Sequence, residues 1–191
     1  MRTRFLFLLL LFPLITGGCK KSITEKFIRN SEINICFEYE RQSGPGSNQW
    51  AIWVEDSENN LVNTLFVTRF TASGGYIPRP SCTPLWVKKA KPEDLSQETI
   101  DAFTGATPQS GLQTCLWDLT GADGEKVSAG TYFIMLEATL LNDSEVIYKI
   151  PVTVGNKHWT LNPEPFFTSE EEKNKHMIRS VAVEYLFSKE K

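Results

Sequence analysis

The 191-residue chain predicts an all-β fold, two antiparallel sheets packed as a sandwich with one short helical or loop insertion, on three observations. Short runs of alternating apolar and polar residues recur along it. Clusters of glycine, proline, asparagine and aspartate separate those runs. One long stretch, about residues 72–111, breaks the alternation with prolines, glycines and brief helical signals. Period-two alternation puts every second side chain on one face, which is the requirement of a half-buried strand.

The first run places Ile33, Ile35, Phe37 and Tyr39 on one face, and Gly44-Pro45-Gly46-Ser47-Asn48 ends it. Trp50 to Glu55 and Leu61 to Arg69 read as a hairpin across the turn formers Asp56 to Asn60. In the insertion, Leu85 to Ala90 has helical character. Pro92, Glu93 and Asp94 supply the residues expected in a first helical turn, with Leu95, Thr99, Ala102 and Phe103 as its face and Gly105 as its stop. Strands resume at Gln113 to Leu119. Asp123-Gly124 marks a hairpin turn before the run Thr131 to Ala138, where the continuous apolar stretch Phe133 to Leu136 leaves open which face points inward. Val146 to Val154 is a further strand in which Pro151 indicates an edge or bulge, and Ile178 to Phe187 closes the domain.

The N-terminus has the form of an export signal, with Arg2 and Arg4 before an apolar run from Phe5 to Ile15 that is too short to read as a membrane span. Thr16, Gly17 and Gly18 lead directly to Cys19, an arrangement that resembles a bacterial lipobox and implies lipidation of Cys19; Thr16 stands where leucine is usual. The expected division is a signal over 1–18, a lipidated tether over 19–31 and one sandwich domain over 32–188. Loss of residues 1–18 leaves 18 basic against 23 acidic side chains, a formal charge of −5, with no basic stripe to suggest nucleic-acid binding. Of the remaining cysteines Cys36, Cys82 and Cys115, at most one pair can form a disulfide, and Cys82 with Cys115 is the expected pair because each lies near the same segment. No C-x-x-C occurs and neither His158 nor His176 joins a cluster, so the sequence offers no metal site. Asp118, Asp123 and Glu125 lack the dense alternating carboxylates of a calcium loop and read as turn residues.

The segment Asp101-Ala102-Phe103-Thr104-Gly105-Ala106-Thr107 satisfies D-x-x-S/T-G-A-S/T and resembles the acceptor motif at which a flavin transferase attaches FMN to a protein hydroxyl. Read without that resemblance, the same residues make a small-residue turn after a short helix. The resemblance implies covalent FMN on Thr107, with Asp101, Thr104, Gly105 and Ala106 as the recognised segment. The same motif occurs in the FMN-bearing subunits of sodium-pumping quinone reductases, whose fold differs, so it travels independently of fold. The order W-D-x-x-G-x-D-G-x-x-V-x-A-G-T-Y from Trp117 to Tyr132 resembles the immunoglobulin-like repeat of flagellar hook-cap proteins. With Trp53-Val54-Glu55-Asp56 and the acceptor motif, the whole from Ile33 to Phe187 is similar to an exported family of unknown function often encoded near flavin transferases.

These resemblances imply a lipid-anchored, periplasmic or otherwise extracytosolic carrier or redox subunit bearing covalent FMN. Its implied partners are a flavin transferase, a membrane redox protein and the lipid membrane. A threonine hydroxyl is a poor nucleophile unaided, so attachment needs an external enzyme, while Pro108 biases Thr107 toward the extended conformation that such an enzyme could draw in. Tyr76, Trp86 and Phe103 are aromatics near the motif and candidates for stacking on a flavin ring, with core packing the first reading of each and none assigned to a site. The alternative is a non-redox immunoglobulin-like binding or structural lipoprotein. No Ser-His-Asp pattern or G-x-S-x-G elbow supports an independent hydrolase.

Overall fold

The structure, a computed structural model, describes residues 31–44, 46–140, 145–167 and 176–187. The export signal, Cys19 and all but the last residue of the tether lie outside the described residues. Ten strands are described: β1 Glu32–Tyr39, β2 Gln49–Glu55, β3 Leu61–Thr68, β4 Thr104–Gly105, β5 Gly111–Trp117, β6 Gly130–Thr139, β7 Glu145–Val154, β8 Trp159–Leu161, β9 Phe166–Phe167 and β10 Ile178–Leu186. They form one sheet in the order β5-β1-β10-β8 and another in the order β4-β3-β2-β6-β7-β9. The fold is an all-β sandwich with a small helical insertion, as expected. All strand pairs are antiparallel except β3 with β4, which run parallel through Val67↔Thr104 and Thr68↔Gly105.

Alternation decides which side chains fill the space between the sheets. Ile33, Ile35, Phe37 and Tyr39 of β1 meet Trp50, Ile52 and Val54 of β2, together with Ile134, Leu136 and Ala138 of β6. Each such side chain stabilises by about 1.5–3 kcal/mol when fully buried. Phe37 and Trp50 meet edge to face with ring centres 5.4 Å apart. The end of β7 at Pro151 lies beyond β9, which covers only Val146 and Ile147, so the proline occupies a sheet edge.

The chain between β3 and β5 builds a second core. Its helices are α1 Pro84–Ala90 and α2 Gln97–Phe103, preceded by a π turn over Thr71–Gly75 and separated by a 3-10 turn over Pro92–Asp94. Ala72, Trp86, Ala90 and Ile100 of this insertion pack on Ala51, Trp53, Val67 and Met135, which project from the opposite face of the second sheet. This explains the continuous apolar runs in β2 and β6: both faces of those strands are covered. Phe133 accordingly belongs to the face beneath the insertion.

Several expectations are corrected in detail. The second helix begins after Pro92: Ser96 caps it, its hydroxyl accepting from the Thr99 N–H at 3.1 Å, and the buried face runs through Ile100, with Thr99 and Ala102 exposed. The Asp123-Gly124 turn, with Gly124 at φ 81°, closes a short hairpin in which Thr120 pairs antiparallel with Lys126, and the chain then passes from β5 of one sheet to β6 of the other. The disulfide between Cys82 and Cys115 is not formed; Cys36, Cys82 and Cys115 are free. Cys115 sits on β5 opposite Ile35, whereas Cys82 is buried in the insertion beside Thr83, whose N–H donates to Thr139 of β6. Nearness in sequence to one segment therefore does not bring the two sulfurs together: Cys115 is on a strand of the first sheet and Cys82 is in the insertion that packs on the second. Arg79 Nε donates to Cys82 Sγ at 2.7 Å, and burial, only partly offset by that guanidinium, pushes the Cys82 thiol up.

Candidate functional site

The acceptor-like segment runs from the last turn of α2 through β4 into a loop that crosses from the second sheet to the first. Asp101 is exposed on α2 and accepts from Gln97 Nε2 at 2.9 Å, one helical turn away. Thr104 and Gly105 form β4 against the end of β3, Ala106 is exposed, and Thr107 is half-buried. The loop then meets the end of β1, where Ser110 Oγ accepts from the Arg41 N–H at 2.9 Å, and β5 begins opposite Tyr39. Asp101, Thr104, Gly105, Ala106 and Thr107 thus form one continuous surface strip. No side-chain contact joins Asp101 to Thr107; the aspartate contacts its own helix.

Gly105 has a local reason to be glycine. A Cβ there would lie 2.6 Å from Cε2 of Phe66, whose ring stacks on Trp50 at 4.2 Å with 27° between planes. Only a residue without a side chain lets β4 run so close to that ring. Gly105 therefore fits its place whether or not an enzyme recognises it.

Thr107 is lightly held. Its hydroxyl reaches the Asn48 carbonyl at 3.5 Å, the long limit of a hydrogen bond. Around it the frame is firm. Asn48, buried at the start of β2, accepts from the Gln42 N–H at 2.7 Å and donates to the Gln42 carbonyl at 2.8 Å. Gln49 is also buried; its Oε1 accepts from Thr68 Oγ1 at 2.5 Å and Thr71 Oγ1 at 3.0 Å, and its Nε2 donates to the Asn48 carbonyl at 2.8 Å. This polar hub ties the end of β3 and the start of the insertion to the sheet end at which Thr107 sits. Nothing in the alternation marks Gln49 as buried; a glutamine beside a tryptophan-rich run is its only signal.

A second hub escaped sequence reasoning. Glu137, fully buried on β6, accepts from the Leu85 and Trp86 N–H groups at 2.9 Å each and so caps the start of α1. Burial and the neighbouring Glu145 carboxyl, which hydrogen-bonds it, hold its pKa well above the usual carboxylate range, overcoming the two N–H donors that lower it. A lone carboxylate inside Phe133 to Ala138 was the available clue. Trp86 is fully buried, its Nε1 donating to Thr64 Oγ1 at 3.1 Å, and its ring meets Phe103 edge to face at 6.0 Å. Asp118 and Asp123 accept from the Thr120 and Glu125 N–H groups at 3.0 Å each, the work of turn residues.

Residues 32–166 match the family described as predicted periplasmic protein, DUF2271, and the chain belongs to this family, whose function is unknown. The family's description is of predicted periplasmic proteins, in keeping with the expected export. No curated protein and no solved structure matches the chain. Among the described residues no helix is long and apolar enough to cross a membrane.

Proposed function

We propose that this protein is a lipid-anchored extracytosolic carrier that bears FMN covalently on Thr107 and passes electrons between a membrane reductase and another exported redox partner. The observation that carries the reading is the full match of Asp101 to Thr107 to a flavin-acceptor pattern, supported by the light hold on the Thr107 hydroxyl in an accessible loop. Attachment forms a bond from Thr107 Oγ1 to the FMN phosphorus, breaks the pyrophosphate bond of FAD and releases AMP, and the hydroxyl proton passes to a base of the transferase. The chain's part is to present a slim segment. Freeing it disturbs only the two-residue β4, while the Asn48 and Gln49 hub keeps the sheet end in place. FMN, once bound, supplies reversible electron transfer; Thr107 fixes its occupancy and position.

Co-expressed with a matching transferase and exported, the protein should gain the mass of one FMN, less water, and show flavin fluorescence that survives a denaturing gel. Thr107→Val keeps the shape, removes the acceptor oxygen and should abolish labelling without unfolding. Thr104→Val, a β-branched replacement on β4, is the control for the attachment point, with peptide mapping expected to put the mass on Thr107 alone. Unlabelled wild type beside a transferase that modifies another acceptor overturns the reading. The alternative, a non-redox binding lipoprotein, draws on β5, an edge strand that exposes Leu112 at 72% and Leu116 at 51%.

A further inference from the structure

Between the edge strands of the two sheets lies a cleft of about 400 Å³, walled by Leu61 and Leu65 of β3, Leu95, Ala102 and Phe103 of the α2 region, and Leu116 of β5. That volume is within the range of small-molecule sites. Its far end is the turn after β5, tied to β3 by Ala122 N–H donating to the Val62 carbonyl and Asn63 Nδ2 donating to the Thr120 carbonyl, both at 2.8 Å. Among the described residues no strand pairs with β3 on this side before Val67, because β4 pairs only with Val67 and Thr68. The slot therefore offers apolar side chains on its walls and peptide groups along one edge, which suits a flat heteroaromatic ring with donors and acceptors on its rim.

We infer that this cleft seats the isoalloxazine ring of the FMN carried on Thr107, an inference that rests on the function proposed above. Two motif positions, Ala102 and Phe103, line the cleft, so the attachment point and the slot are parts of one segment. From Phe103 to Thr107 the chain spans at most about 14 Å. The ribityl phosphate tether covers roughly 10 Å at ordinary covalent bond lengths, and the fused rings add a comparable length. A ring tethered at the sheet end thus reaches the upper part of the cleft. Phe103 is held in its wall by Trp86, itself bound to Thr64, so the seat is built on packed residues. Asp118 is the one charged side chain in the lining, and Lys126 pairs with it at 3.3 Å, so the cleft itself carries little net charge.

The test uses the full exported chain, labelled by a co-expressed transferase. Parent flavin should be severalfold less quenched by iodide than free FMN. Ala102→Trp, at an unspecified motif position, fills the slot and should restore quenching to that of free FMN with the label still on Thr107. Leu116→Lys, remote from the motif in sequence, should shift the flavin midpoint potential upward by placing a cation beside the ring. If Ala102→Trp fails to accept the label, Leu116→Lys decides. Labelled variants with parental quenching and potential overturn the seat and leave Thr107 attachment standing. If the parent itself takes no label, the function proposed above fails, and a riboflavin titration of the unlabelled protein decides: saturable fluorescence quenching lost in Ala102→Trp supports a flavin-ring seat, and no quenching overturns it.

Discussion

At the scale of single residues, Gly105 joins two demands that are separable by experiment. The packing demand comes from Phe66, which leaves 2.6 Å where a Cβ would go and is itself stacked on Trp50. Gly105→Ala should therefore destabilise the domain by about 1–3 kcal/mol, the usual penalty of overpacking, read as a lower urea midpoint in protein made without any transferase. An unchanged midpoint would mean that the ring yields freely and that the glycine serves recognition alone. Pro108 acts in the same segment by disfavouring helix at Thr107, so the chain leaves α2 and β4 without a further turn.

At the scale of elements, α1 depends on a side chain from a strand. Glu137 caps its first N–H groups from beneath, and its raised pKa makes that cap pH-sensitive. The folded state binds the Glu137 proton more tightly than the unfolded chain does. Its contribution to stability is complete below the ordinary value of 4.5 and is lost as pH rises through the elevated folded value. Glu137→Gln cannot ionise and also loses one acceptor, a cost of about 1 kcal/mol. The parent should lose stability relative to the variant as pH rises above 4.5, read as a falling difference between their urea midpoints across a pH series. A constant gap would refute the titration. The same elements show what the sequence could disclose. Strands β1 and β7 were legible because one face of each alternates plainly, and the motif strip was legible as a pattern. Strands β4, β8 and β9 were not, because two or three residues carry no period. The start of α2 was misplaced because Pro92 and two acidic residues mimic a first turn, while the Ser96 cap lay a few residues on. The cleft was invisible, since its walls come from β3, α2 and β5, brought together only by the packing of two sheets and an insertion.

At the scale of the whole molecule, two cores share the wall formed by β2 and β6. Ile52 and Val54 face the sandwich interior while Ala51 and Trp53 face the insertion; on β6, Ile134 and Leu136 do the former and Met135 the latter. A defect in either core must therefore reach the other through the same two strands. Replacing Ile35 with aspartate buries an unpaired charge between the sheets and should leave no folded protein. Trp86→Ala is the more telling variant. It removes a fully buried indole, its hydrogen bond to Thr64 and its support for Phe103, and should cost about 3–5 kcal/mol. With a shared wall, its unfolding should remain one transition at a lower urea midpoint, with far-UV circular dichroism and tryptophan fluorescence superimposing. The proposed flavin seat should loosen with it, since Phe103 loses its backing. Two separated transitions, with the strand signal surviving after the fluorescence change, would show instead that the insertion is a detachable cover and that the sandwich stands without it.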